Sequence, residues 1–139
     1  MDLEDCFKKG LIKKTSVDEE RIKSLIEMSD IKEMTIKNAR IDEINISAYV
    51  SLAYDALREV LEALCILKGY KVLSHICIGE LLKNIISDFD YEDFDRIRWI
   101  RNSINYYGEK IGFEQGKIII NRIFEIKRKI LKKYLEKFK

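Results

Sequence analysis

The 139 residues contain no proline. Proline removes a backbone donor and breaks helix interiors, so its absence leaves long uninterrupted helices open. Histidine occurs once, at His75. That excludes a His-rich metal centre and the Glu-x-x-His pairs of di-iron bundles. The sequence has no G-x-x-x-x-G-K-[ST], no G-x-G-x-x-G and no H-E-x-x-H, so neither phosphate-cradling loop nor zincin helix is present. A Ser/Cys–His pair can be drawn only with His75, and no spacing supports it. We therefore expect no metal and no cofactor. No apolar run approaches the roughly 18 residues that span a bilayer. The start, Met1 to Cys6, lacks the basic-then-apolar order of a signal peptide. A cytoplasmic location without membrane contact is expected. The cysteines, Cys6, Cys65 and Cys77, are odd in number and form no C-x-x-C. Buried free thiols are expected, not a disulfide or a zinc site.

What is present is enough for a core. Hydrophobic residues make up 47% of the chain, which excludes a disordered protein and suits one domain of this length. The net charge of +2 conceals an asymmetry. Residues 117–139 hold nine Lys/Arg and two Asp/Glu, a net of 9 − 2 = +7, so the remainder carries 2 − 7 = −5. A basic C-terminal helix can meet phosphates or an acidic partner. The plainer reading is a solvated face with favourable charge at a helix C-terminus.

Periodicity organises the chain into helices. Residues 2–9 form a short helix stopped by Gly10, and Thr15, Ser16 or Asp18 caps the next. That second helix begins its apolar face with Ile22, Leu25 and Ile26. Asp30 and Glu33 have capping-box spacing, which predicts a break near Ser29, a restart, and an end near Asp42. Ile46, Val50, Ala53, Leu57, Val60, Leu64 and Leu67 then repeat at 4-3-4-3-4-3, the seam of a bundle helix. Ala48, Ala56 and Ala63 allow a neighbour to come close, and Gly69 ends the helix. Ser74 caps a helix over 76–86, whose first turn carries His75; a lone histidine there is expected to make a structural hydrogen bond. Asp88 or Asp90 starts another helix, and a last one runs from about Phe113 to Phe138. Nothing reads as a strand. The expectation is an all-α, up-down-up-down four-helix bundle in a single domain over 1–139. Residues 1–45 are an N-terminal helical arm and 46–139 the core.

The stretch Phe94 to Gly108 carries the chemistry that remains. Phe94, Ile97, Ile100 and Ile104 share one helix face. Arg101 lies about 40° from Ile97 at roughly 100° per residue, on the edge of that face, where a charge needs a partner. Asn102, Asn105, Tyr106 and Tyr107 follow, with Gly108 as the residue that closes the helix. Arg101 and Asn105, at i and i+4, can meet. Arg101 and Tyr106 are about 140° apart on an ideal helix and are not expected to share a face unless the helix ends between them or a second chain completes the site. Asp55 or Glu59 can pair with Arg101 inside the bundle, in which case Tyr106 and Tyr107 would cap the core.

Two stretches resemble the HEPN family of small helical-bundle proteins. One is Ala53-Tyr-Asp-Ala-Leu-Arg-Glu-Val-Leu-Glu-Ala-Leu64 with Gly69-Tyr-Lys71 and Ser74-His75. The other is Arg101-Asn-Ser-Ile-Asn-Tyr-Tyr-Gly108, which is similar to the family's R-N-x-x-x-H signature. The resemblance covers roughly residues 46–135. It implies a metal-independent endoribonuclease site shared by a homodimer, and a toxin role with a minimal nucleotidyltransferase as antitoxin partner. By position, Arg101 and Tyr106 are the catalytic pair, with Asn102, Asn105 and Tyr107 supporting RNA binding. Tyr106 stands where the family has histidine. A tyrosine ordinarily ionises near about 10 and is a poor general base at neutral pH, although its ring can stack on a base. RNA binding survives this substitution more easily than cleavage does. The alternative is a non-catalytic dimerisation or interaction module with a structural arginine.

Overall fold

A computed structural model describes residues 1–139 and shows an all-α helical bundle. Its central element is α3 (Ile46–Leu67). The seam from Ile46 to Leu64 is at most 1% exposed, while Leu67 is half-buried. Tyr54, Leu61 and Cys65 on other faces are buried as well, so α3 is enclosed from several sides. Ala56 and Ala63 are buried at its contacts, whereas Ala48 is exposed and admits no neighbour.

The helix α2 (Glu19–Lys37) packs along α3 and is capped by Asp18, which accepts from the Arg21 N–H. The break expected near Ser29 does not occur. Ser29 is fully buried and its hydroxyl donates to the Ala56 carbonyl at 2.6 Å. Asp30 and Glu33 do not cap a new helix; they accept Lys127, at 2.8 and 2.9 Å. The helix also stops at Lys37, short of Asp42. There Asp42 and Asn45 exchange side-chain and backbone hydrogen bonds in the link to α3.

On another side of α3 lies α6 (Phe113–Tyr134), followed by a 3-10 turn, Glu136–Phe138. Ile119, Ile123, Ile126 and Ile130 are buried, with Tyr134 half-buried, as the spacing predicts. Gly116 permits the approach, because a Cβ there would run into the Ile46 side chain. Most of the basic residues of this helix stay exposed, and one turns inward. Lys127 is 1% exposed between Asp30 and Glu33, a burial that such pairing makes tolerable. Arg122 meets Asp90 at 3.0 Å and also Asp93, and Lys133 meets Asp88 at 2.6 Å.

Two helices complete the bundle, α4 (His75–Ile85) and α5 (Tyr91–Tyr107). Asp90 caps α5, and Gly108 ends it with φ of 65°, a left-handed conformation that suits glycine.

The N-terminal region holds two corrections. Short α1 (Leu3–Lys8) is followed by β1 (Ile12–Lys14), which pairs antiparallel with β2 (Tyr70–Val72), Lys13 opposite Lys71. Three-residue strands are too short to show alternation, and their pairing depends on where α1 docks. The cysteines are not all free. Cys6 and Cys77 form a disulfide with Cα atoms 5.9 Å apart, and only Cys65 is a buried thiol. Spacing could not reveal a bond between residues 71 apart, because α1 meets α4 only in the folded chain. Closing a loop of that length stabilises by about 4 kcal/mol in the chain-entropy model. We expect Cys77→Ser and reduced wild type to lose similar stability in urea unfolding. Equal midpoints with and without reductant would remove this role.

Candidate functional site

The C-terminal half of α5 gathers the polar and aromatic groups singled out in the sequence. Ile97 is buried and Ile100 and Ile104 are half-buried, which fixes the roll of the helix and sets Arg101 at the edge of the core. The Arg101 side chain is 12% exposed. Its guanidinium lies 5.3 Å from the centre of the Tyr54 ring and 5.8 Å from that of Tyr106, so one cation bridges a buried and an exposed aromatic.

Its polar contacts divide between two helices. Nη2 is 3.7 Å from Asp55 on α3; Glu59, the other acid considered, pairs with Lys32 at 2.7 Å. With the Asn105 amide turned to satisfy both its ends, Oδ1 accepts from Arg101 Nε at 3.1 Å and Nη2 at 3.2 Å, and Nδ2 donates to Ser51 Oγ at 2.9 Å. The i, i+4 meeting of Arg101 with Asn105 is thus present. Arg101 also reaches Tyr106, Nη1 donating to the phenol oxygen at 3.4 Å. The helix does not end between them; the length of the two side chains spans the angle. Tyr106 and Tyr107 are 69% and 73% exposed, so neither caps the core. Asn102 is half-buried on the outward side.

Trp99 was not among the expected site residues. It is 57% exposed and lies 5.3 Å from the Arg98 guanidinium. The signal was available, since Trp99, Asn102 and Tyr106 fall at i, i+3 and i+7 and share one face. Tyr54 and Ser51 enter from α3, and nothing local to α5 pointed to them.

Behind the cluster, Tyr54 is fully buried and its hydroxyl has no partner. Burial raises its pKa above the ordinary phenol range. His75 makes its contact through the ring, 5.6 Å from that of Tyr54, in place of the expected hydrogen bond. Burial first, and then the charges of Arg58 and Arg101, lower its pKa to about 4. No group of three or more His, Cys, Asp or Glu is placed to hold a metal, and no helix is long and apolar enough to cross a membrane.

No family model, curated protein or solved structure matches the chain. The likeness to HEPN proteins rests on the two stretches quoted above.

The lowered pKa of His75 has a stability consequence. The unfolded chain takes up a proton near the ordinary 6.5 and the folded chain only near about 4. The contribution of neutral His75 is therefore complete above 6.5 and is lost as pH falls toward 4. We expect the melting temperature to fall across that window and the slope to flatten in His75→Gln. An unchanged slope in the variant would assign the acid sensitivity to other groups.

Proposed function

We propose that the chain is a HEPN-like RNA-binding protein that holds single-stranded RNA at the C-terminal half of α5. The observation that carries this reading is Arg101 set between buried Tyr54 and exposed Tyr106, with Trp99 exposed on the same outer face. Unpaired bases stack on such rings, and a guanidinium supplies both charge and hydrogen bonds to phosphate. Asn102, Asn105 and Tyr107 border the surface. In this reading two copies pair to complete the site, and a minimal nucleotidyltransferase serves as antitoxin partner to a toxin. Metal-independent cleavage by Arg101 and Tyr106 is the weaker part, because the only imidazole packs on Tyr54.

A second reading is favoured by the contacts of Arg101 with Asp55 and Asn105. There the arginine is structural, and α5 is an interaction surface of a non-catalytic module.

The deciding experiment measures RNA binding and RNA cleavage in EDTA. Trp99→Ala and Tyr106→Ala should each weaken single-stranded RNA binding by about 1–3 kcal/mol with little change in melting temperature, and wild-type affinity should fall with salt. Arg101→Ala should weaken binding and abolish any cleavage. If Arg101→Ala lowers the melting temperature and leaves RNA affinity unchanged, the interaction module stands and the RNA reading fails.

A further inference from the structure

A second hollow lies away from the Arg101 cluster. It is a cavity of about 550 Å³, within the usual range for small-molecule sites. Thr15 just after β1, the strand β2, the start of α2, the second half of α3 and the start of α4 line it. No expected site residue borders it.

Its lining separates into two chemistries. Ile66, Val72, Leu73 and Ile78 supply an apolar wall. Arg21, Arg58 and Lys71 supply three cations, and Ser74 a hydroxyl. Two carboxylates, Asp18 and Glu62, also reach the cavity, so its three cations leave a net of 3 − 2 = +1. Asp18 accepts the Arg21 backbone N–H at the head of α2, and Glu62 pairs with Arg58 Nη1. The cations retain unused donors. Arg21 and Lys71 enter no ion pair. Arg58 gives Nη1 to Glu62, and its side chain is 23% exposed. Ser74 precedes α4 without using its hydroxyl as a cap. His75, neutral at pH 7, adds a hydrogen-bonding edge without charge.

We propose that this cavity binds a small organic phosphate, with the Arg21 and Arg58 guanidinium groups, Lys71 and the Ser74 hydroxyl around the phosphoryl oxygens and the organic body against Ile66, Val72, Leu73 and Ile78. A carboxylate brings one negative charge to the three cations, whereas a phosphomonoester brings up to two, on three oxygens that can each accept from more than one donor. The site goes beyond the RNA reading and does not depend on Arg101 or Tyr106.

Calorimetric titration of the full chain with inorganic phosphate, glycerol 3-phosphate, ribose 5-phosphate and AMP tests this, with ribose and adenosine as phosphate-free counterparts. We expect at least one of the three organic phosphates to bind more tightly than about 1 mM and more tightly than inorganic phosphate. Lys71→Gln and Arg21→Gln, both at exposed positions, should weaken that binding about tenfold or more without lowering the melting temperature. Ribose and adenosine should not bind. Absence of binding by all three organic phosphates overturns the proposal, as does binding that both variants leave unchanged. Loss of phosphate binding in Arg101→Ala, with Lys71→Gln unaffected, would move the ligand to the end of α5 and also overturn it. Failure of RNA binding in the same preparation bears only on the α5 reading.

Discussion

The structure depends on the burial of one central helix that is not wholly apolar. α3 carries buried Glu59 and half-buried Asp55, Arg58 and Glu62, and a polar group taken out of water must find a partner or destabilise the fold. Two of these partners come from neighbouring helices. Lys32 on α2 answers Glu59, Arg101 on α5 answers Asp55, and Arg58 answers Glu62 within α3 itself. Ser29 on α2 adds a hydrogen bond to the Ala56 carbonyl. Hydrophobic burial brings the helices together without direction; these polar contacts select the register in which they pack.

The same requirement accounts for part of the chain's uneven charge. Three cations of the basic last helix meet acids of the remainder. Arg122, Lys127 and Lys133 each close on carboxylates from α2 or from the turn before α5 and its first residues. Lys127 is the extreme case, an amine almost without solvent between two acids on α2. It holds α6 against α2 while the isoleucine stripe of α6 faces α3.

Much of this was legible in the sequence, and what was not has physical reasons. The heptad-like seam of α3, the isoleucine stripe of α6 and the glycine closing α5 are local patterns, and the helices follow them. The end of α5 as a polar, aromatic cluster was also legible from Arg101, Asn105, Tyr106 and Tyr107. The break near Ser29 was expected because Asp30 and Glu33 look like caps; a lysine 97 residues from Asp30 claims them instead. The disulfide, the β ribbon and the cavity beside β2 all arise where distant segments meet, so no window of sequence contains them. Trp99 was legible through its spacing from Tyr106, yet an aromatic inside a helical stretch reads first as core, and only the roll of α5 shows that it faces out.

The bond between Cys6 and Cys77 also makes the first half of the molecule a covalent ring. Everything from α1 through α3 and both strands lies inside it, while α5 and α6 hang from it as a tail. A single backbone cut anywhere between the two cysteines opens the ring without separating the pieces. Such a nicked protein migrates as one species until it is reduced, whereas a cut after Cys77 releases a fragment at once. The link between α2 and α3 is therefore a place where the chain can be severed with its two parts still joined.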